Sequence, residues 1–196
     1  MDRVQLILEI EEYGKENNVP IMSEDSIETI QNIIKENNIK SILEIGTAIA
    51  YSTICFASTP GVEKITSIER DEERYKIASS NVRKSGLKNI ELIFGDATDA
   101  IIEGKYDLLI IDAAKSQNMK FFNKFKENLN EDGIIIIDNL SFHGYVNQET
   151  RIQSRNLRQM VNKIRKFIDF LNNNEEFTVK YIEVGDTLGV CKRKNI

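Results

Sequence analysis

Apolar residues recur at helical spacing along the first part of the chain and then form short continuous runs. The segments 2–17 and 23–37 place apolar side chains three or four positions apart, which is the spacing of an amphipathic helix. Pro20 lies between them and ends the first pattern, because its ring interrupts a helix. From residue 41 onward, short apolar runs alternate with amphipathic stretches. The chain is therefore predicted to begin with two helices and to continue as strand–helix units.

The apolar runs predict the strands of one sheet. Runs typical of buried parallel strands occupy residues 41–45, 64–69, 89–94, 106–112 and 134–138. Helical patterns occupy residues 50–58, 71–85, 97–102, 117–129 and 149–171. Alternating segments at 177–184 and 187–192 predict a terminal hairpin. The predicted fold class is α/β, a doubly wound and mostly parallel seven-stranded sheet with a C-terminal antiparallel hairpin.

Size and composition fit one domain, residues 1–196. The hydrophobic content of 41% suffices for one substantial core, and residues 1–38 are predicted to cap the sheet or form a subunit interface. No apolar stretch approaches the roughly 20 residues of a membrane helix, and no secretory signal pattern is visible. We therefore expect a cytoplasmic protein without membrane contact. Cys55 and Cys191 lack paired spacing, which argues against a disulfide framework or a thiolate metal site.

The first candidate for ligand binding follows the first strand. Ligands of open α/β sheets bind beyond the carboxyl ends of the strands, and Gly46 stands at that point. A glycine lets the backbone approach a ligand closely, and the next helix offers free N–H groups. Only the first glycine of the G-x-G-x-x-G dinucleotide pattern is present, so a smaller nucleoside ligand is expected. A plain strand-to-helix turn is the alternative.

Acidic residues also follow the second and third strands. Glu69 could accept hydrogen bonds from the ribose hydroxyls of a nucleoside, although Glu69 and Asp71 also suit the start of the next helix. Asp96, followed by Ala97, occupies the matching place after the third strand, where an adenine edge would lie. The spacing from Gly46 favours a nucleoside site across these strands.

Hard oxygen ligands follow the fourth and fifth strands. Asp112, Asp138 and Asn139 offer two carboxylates and an amide oxygen, which suit Mg²⁺ or Ca²⁺ rather than zinc. A bound divalent cation would lower the pKa of a coordinated hydroxyl group. Lys115 is close enough in sequence to take the proton or to stabilise the oxyanion. Either aspartate by itself could simply cap a helix, whereas the set on adjacent strands favours a site.

Basic residues concentrate in one late segment. Arg151, Arg155 and Arg158 recur at i, i+4 and i+7 on the predicted helix, and residues 151–166 contain six bases and no acid. Such a stripe could bind the phosphates of a nucleic acid, and a solvated helix face is the alternative. His143, the single histidine, could line a substrate opening or serve a structural role.

Several motifs occur together in one order. They are Leu43-Glu44-Ile45-Gly46-Thr47-Ala48, Tyr51-Ser52, Ile68-Glu69-Arg70-Asp71, Gly95-Asp96-Ala97, Ile111-Asp112-Ala113-Ala114-Lys115 and Asp138-Asn139. From about residue 19 to the C-terminus, the chain resembles the cation-dependent O-methyltransferases of the catechol and caffeoyl-CoA type. Those enzymes use S-adenosylmethionine on a Rossmann-like class I methyltransferase fold.

The resemblance implies a cofactor site. The residues that would bind S-adenosylmethionine are Met22, Glu44, Gly46, Thr47, Ser52, Glu69, Asp96, Ala97 and Asp112. Glu44 and Ser52 would hold the amino and carboxylate groups of the cofactor, and Met22 would cover it. Many relatives have glycine where this chain has Ala50, which would be costly to cofactor affinity if φ there is positive.

The resemblance also implies a metal centre and an oligomeric state. Asp112, Asp138 and Asn139 would bind Mg²⁺ or Mn²⁺, and Lys115 would assist the substrate oxyanion beside Asp112. The catalytic residues implied are therefore Lys115 and Asp112. A homodimer is expected, with the two N-terminal helices as candidate contacts.

Within that family the chain looks most like the bacterial tRNA 5-hydroxyuridine methyltransferases. The segments Pro20-Ile21-Met22 and Asp112-Ala113-Ala114-Lys115, the loop 138–144 and the basic helix carry this likeness. It implies methylation of 5-hydroxyuridine to 5-methoxyuridine at the wobble position, with the tRNA anticodon loop as partner. The alternative is a catechol or caffeoyl-CoA-like enzyme acting on a small vicinal-hydroxyl substrate. A non-catalytic nucleotide- or RNA-binding module is a further alternative, and a nicotinamide-dependent oxidoreductase is disfavoured by the missing second glycine.

Overall fold

The computed structural model describes residues 2–147 and 152–194 as a layered α/β fold. The helices are α1 (Arg3–Glu16), α2 (Glu24–Glu36), α3 (Tyr51–Ala57), α4 (Glu72–Ser85), α5 (Asn118–Phe125) and α6 (Arg155–Asn172). The strands are β1 (Ser41–Ile45), β2 (Lys64–Glu69), β3 (Ile90–Phe94), β4 (Tyr106–Ile111), β5 (Leu129–Ile137), β6 (Phe177–Ile182) and β7 (Leu188–Arg193). Short 3₁₀ turns occupy Lys115–Gln117, Lys126–Asn128 and Tyr145–Asn147.

The strands form one seven-stranded sheet in the order β3-β2-β1-β4-β5-β7-β6. Strands β1 to β5 are parallel, and β7 runs antiparallel to both of its neighbours, β5 and β6. The predicted fold class is therefore confirmed. The chain winds outward from β1 in both directions, so the carboxyl ends of β1 and β4 flank the crevice where doubly wound folds bind ligands.

Helices cover both faces of the sheet, which explains why its strands are continuously apolar. On one face Ile42, Ile110 and Ile136 are buried against α1, α2 and α3. On the other face Leu43 and Ile111 are buried together with residues of α5 and α6. Because α1 and α2 pack beside α3, the segment between them reaches the carboxyl end of the sheet.

Three predicted boundaries were wrong. Residues 97–99 form a single turn, which Asp96 caps by accepting hydrogen bonds from the backbone and hydroxyl of Thr98, both at 2.8 Å. The turn does not continue as a helix to residue 102, because Ile101 stays exposed and a longer helix would gain little from packing. Helix α6 begins at Arg155 instead of residue 149, and the side chain of Ser154 caps it. Strand β5 begins at Leu129, and its register against β4 shifts at its start, a bulge that the sequence did not reveal.

None of the helices in the described parts of the chain is both long enough and apolar enough to cross a membrane.

Candidate active site

A cavity of about 480 Å³ opens at the carboxyl ends of the parallel strands. Its walls come from the segment before α2, from the turns after β1 to β4 and from the loop after β5. The predicted site residues that line it are Met22, Gly46, Thr47, Ser52, Glu69, Asp96, Ala97, Asp112, Lys115 and Asn139. The fold thus brings into one cavity most of the residues that the sequence nominated from distant positions.

Gly46 allows β1 and β4 to approach each other at the floor of this cavity. Its φ is +106°, and a Cβ there would overlap the carbonyl oxygen of Asp112 and lie 2.8 Å from its carbonyl carbon. The Gly46 N–H group donates to the carbonyl oxygen of Ile68 at 3.0 Å. A side chain is therefore excluded by both conformation and space.

Glu44 does not line the cavity but lies one layer behind its wall. The carboxylate is fully buried and accepts hydrogen bonds from the hydroxyls of Ser52 at 2.6 Å, Thr53 at 2.5 Å and Ser67 at 2.5 Å. Burial raises the pKa of Glu44, and the three hydroxyl donors oppose that shift. Among these partners Ser52 reaches the cavity, so Glu44 orients a residue that a ligand can touch.

Glu69 braces the turn after β1. One carboxylate oxygen accepts from the backbone N–H of Ala48 at 2.7 Å, and the other accepts from the N–H of Asp71 at 2.8 Å. Asp71, rather than Glu69, caps α4 by accepting from the N–H of Arg74 at 2.9 Å. Of the two acids that suited the start of the helix, only Asp71 has that role, and Glu69 lines the cavity.

Asp96 and two arginines form the far wall. Arg70 lies 3.7 Å from Asp96, and the hydrogen bonds from Thr98, with the nearby Arg70 charge, lower the pKa of the Asp96 carboxyl. Arg70 and Arg74 line the cavity but were not nominated from the sequence. Arg70 directly follows Glu69, and Arg74 lies in the first turn of α4; this proximity to Glu69 was the available signal.

Asp112, Lys115 and Asn139 meet beside this cavity. The Nζ atom of Lys115 donates to Oδ1 of Asp112 at 2.7 Å, and Nδ2 of Asn139 donates to the same oxygen at 3.2 Å. Asn139 has a left-handed backbone with φ of +64°, which directs its amide across to β4. The segments that follow β4 and β5 thus bring a carboxylate, an ammonium group and an amide into direct contact.

Asp138 lies behind Asn139 and faces a neighbouring cavity. It is buried, and its Oδ1 accepts from the backbone N–H of Asn139 at 2.7 Å. Burial, together with the negative charge of Asp112, raises the pKa of the Asp138 carboxyl to about 7.

The donor chemistry of this cluster fits a hard divalent cation, because two close carboxylates repel each other unless a positive charge lies between them. The described residues contain no cluster of three or more His, Cys, Asp or Glu side chains suited to a metal. A metal site here therefore depends on the amide oxygen of Asn139. The amide must turn for that oxygen to be presented, since its nitrogen now faces Asp112.

The basic helix differs from its prediction. Arg151 lies outside the described residues, and the helical spacing across 151–158 is interrupted because α6 begins at Arg155. Arg158 donates to the carbonyl oxygen of Ile152 at 3.3 Å, and Arg165 donates to that of Val146 at 3.0 Å. Arg155 is exposed. At least two of these arginines therefore stabilise nearby backbone.

The comparison with protein families identifies one family. A family model described as O-methyltransferase matches residues 2–194. Tapetum-specific methyltransferase 1 of Arabidopsis thaliana is 26% identical over 94% of this chain and 82% of its own length. Caffeoyl-CoA O-methyltransferase 2 of Petunia hybrida is 28% identical over 90% of this chain and 77% of its own length.

Solved structures agree with this family. A Staphylococcus aureus protein described as a "putative caffeoyl-CoA O-methyltransferase" is 34% identical, with a TM-score of 0.91, over 96% of this chain and 92% of the other. The S-adenosylhomocysteine-bound methyltransferase PaMTH1 of Podospora anserina shares the fold, with a TM-score of 0.86 at 20% identity over 97% and 88% of the two chains.

The family match covers nearly the whole chain and agrees with the site geometry. One edge of the sheet holds the Gly46 turn, Glu69, and the cluster of Asp112, Lys115 and Asn139. The chain belongs to the O-methyltransferase family and is an S-adenosylmethionine-dependent enzyme of the caffeoyl-CoA O-methyltransferase type.

Proposed function

We propose that this enzyme methylates one hydroxyl of a small substrate that carries two neighbouring hydroxyl groups, with the help of a divalent cation. The observation that carries the proposal is the meeting of Asp112, Lys115 and Asn139 in the wall of the cavity at the carboxyl ends of the strands. The caffeoyl-CoA methyltransferases among the relatives support a small acceptor of this class.

The cofactor would occupy the large cavity. Glu69 offers carboxylate oxygens for the ribose hydroxyls, and Asp96 with Ala97 would flank the adenine. Gly46, Thr47 and Ser52 would line the methionine part, with Met22 covering it. When bound, S-adenosylmethionine supplies an already activated methyl group, so these residues mainly align it.

The acceptor would approach from the side of Asp138 and Asn139. Asp112, Asp138 and Asn139 would hold Mg²⁺ or Mn²⁺, and such a cation, when bound, makes an attached hydroxyl group more acidic. Lys115, held 2.7 Å from Asp112, is placed to take the hydroxyl proton or to stabilise the oxyanion. The oxygen then forms its bond to the methyl carbon as the carbon–sulfur bond breaks, and the hydroxyl proton passes to solvent, or to Lys115 after that ammonium group has given its own proton to solvent.

The 5-hydroxyl of 5-hydroxyuridine in the tRNA wobble position is the second candidate acceptor. The exposed Arg155, Lys163 and Lys166 on α6 favour it, because they leave a cationic face near the loop after β5. The backbone contacts of Arg158 and Arg165 weaken it, since those side chains already have partners. The small-molecule acceptor is preferred for this reason.

One comparison separates the two acceptors. Methyl transfer from radiolabelled S-adenosylmethionine is measured with a free catechol and with tRNA that carries 5-hydroxyuridine without the methyl group, each with Mg²⁺ and with EDTA. Our proposal expects catechol turnover that EDTA and Asp138→Ala abolish. If the enzyme methylates tRNA and not catechol, the acceptor is 5-hydroxyuridine instead of a small molecule. If turnover persists in EDTA, the reaction does not need a divalent cation.

The homodimer also stays a prediction. The exposed apolar side chains of Val4 and Leu8 on α1 are consistent with an interface on the N-terminal helices. Sedimentation of the wild type beside a Leu8→Glu variant tests this, because a charge on that face should shift a dimer toward monomer.

A further inference from the structure

A second cavity adjoins the first on the proposed acceptor side. It has a volume of about 460 Å³ and shares Ile21, Met22, Asn139 and His143 with the larger cavity. Its remaining wall includes Asp186, which lies in the turn between β6 and β7. A side chain from the C-terminal hairpin therefore stands directly beside the acceptor opening.

The loop after β5 that forms one side of this opening has an unusual backbone. Asn139, Phe142 and His143 have φ values of +64°, +47° and +55°. This left-handed region is disfavoured for residues that carry a Cβ, and most strongly here for Phe142, since Asn and His adopt it more readily. Such a conformation persists where surrounding contacts outweigh its cost, so the loop needs an external support.

The carboxylate of Asp186 supplies that support. It accepts from the hydroxyl of Ser141 at 2.5 Å and from the backbone N–H of His143 at 2.7 and 2.8 Å. The Nδ1 atom of His143 lies 3.6 Å from the same carboxylate. Because hydrogen bonds to an ionised acceptor are stronger than neutral ones, a single side chain can offset much of the strain in the loop.

Backbone contacts extend this support. The N–H of Ser141 donates to the carbonyl oxygen of Asp186 at 3.0 Å, and the N–H of Leu140 donates to that of Thr187 at 3.1 Å. Leu140 is buried in the core, so the start of the loop is fixed independently of Asp186. The stretch from Ser141 to His143 is the part that depends on the carboxylate.

The hairpin turn also touches the opposite side of the opening. Gly185 has φ of +52°, and a Cβ there would lie 2.5 Å from Oγ of Ser23, the residue that caps α2. The segment leading into that cap carries Ile21 and Met22, which line both cavities. Both walls of the acceptor opening therefore rest on one turn.

We propose that Asp186 is a positioning residue, which holds the stretch from Ser141 to His143 in the loop after β5 so that His143 faces the acceptor cavity. The proposal rests on the proposed function, in which that cavity receives the acceptor. It assigns no chemical step to Asp186, since its carboxylate is occupied by Ser141 and His143.

Kinetics of three variants test the proposal. Asp186→Ala removes every acceptor atom and should raise the KM for catechol about tenfold or more, while kcat and the Kd for S-adenosylhomocysteine stay within about threefold. Asp186→Asn keeps one oxygen for Ser141 and His143 but removes the charge, so its KM should rise clearly less than that of Asp186→Ala. Asp132→Ala, an exposed acid on the distant part of β5, is the matched control and should match the wild type.

Hydrogen–deuterium exchange of the ligand-free protein tests the support of the loop without any substrate. Peptides covering 141–147 should exchange about tenfold faster in Asp186→Ala than in the wild type, and Asp186→Asn should fall between the two. If Asp186→Ala fails to fold, Ser141→Ala removes one contact and should raise exchange and KM about threefold.

The outcomes separate the two proposals. Failure of the wild type to methylate catechol would reject the proposed function, and exchange would still report on Asp186. Unchanged exchange in Asp186→Ala, an unchanged KM, equal defects in Asp186→Asn, or an equal loss of cofactor affinity would each overturn the positioning role.

Discussion

The turn of Gly46 lies against the backbone of Asp112, so close that a Cβ on Gly46 would overlap the Asp112 carbonyl oxygen. This contact joins the end of β1 to the end of β4. It places the Gly46 backbone, which would line the cofactor site, next to Asp112, whose carboxylate would bind the metal. A single glycine thus couples the geometry of the two halves of the site.

Gly46→Ala should therefore be severely destabilising. Positive φ and backbone overlap act together there, and we expect a loss of about 3 kcal/mol or more in the free energy of unfolding, measured by urea denaturation. Gly61→Ala is the matched control, because Gly61 has φ of +96° but open space around a Cβ. Strain without overlap should cost about 1–2 kcal/mol. Equal losses in the two variants would contradict the role assigned to the Asp112 contact.

Two alanines in the same turn occupy left-handed conformations. Ala48 has φ of +48° and Ala50 has φ of +67°. Ala50 therefore has the positive φ that was expected to be costly to cofactor affinity. Glycine relieves about 1–2 kcal/mol of strain at either position, offset by about 0.5–1 kcal/mol of extra chain entropy in the unfolded state.

The two alanines should differ because Ala50 is fully buried, whereas Ala48 is partly exposed. Removing the Ala50 methyl forfeits about 0.8 kcal/mol of burial. We expect Ala48→Gly to be the more stabilising variant by thermal and urea unfolding, with Ala50→Gly near neutral. The reverse order would show that strain at Ala50 outweighs its packing.

Glu44 should make stability depend on pH. Because burial raises its folded pKa, the folded state holds a proton that the unfolded state releases above about pH 4.5. Its contribution is therefore present at low pH and is lost as pH rises through the raised pKa. Glu44→Gln keeps a neutral side chain, so its unfolding free energy relative to wild type should increase as pH rises above about 4.5. Parallel pH curves for the two proteins would contradict the raised pKa.

Lys115 should matter for turnover more than for cofactor binding. Its ammonium group contacts Asp112 at 2.7 Å, on the proposed acceptor side of the cavity. Lys115→Met should lower kcat for catechol about 10²–10⁴-fold, while the Kd for S-adenosylhomocysteine by calorimetry stays within about threefold. Lys115→Arg keeps the charge and should lose less. A matched loss of cofactor affinity in Lys115→Met would instead assign Lys115 to the cofactor site.

The fold and most of the cavity lining could be predicted from local patterns. Buried parallel strands are recognisable as short apolar runs, and their carboxyl ends converge by topology. Gly46, Glu69, Asp96 and Asp112 could therefore be nominated without coordinates. The predicted helix at 97–102 failed because Ile101 stays exposed, so only the single turn capped by Asp96 forms, and periodicity does not report which apolar residues find packing partners.

The sequence by itself determined the doubly wound α/β fold class, the burial of both faces of the sheet and the edge of the sheet at which the site lies. These follow from hydrophobic periodicity and chain connectivity. Tertiary structure decided that Glu44 lies behind the cavity wall, that Arg158 and Arg165 hold backbone, and that Asp186 supports a loop 43 positions away from it at His143. Those outcomes depend on side-chain direction and on contacts between residues far apart in the chain. Spacing along a sequence carries no information about either.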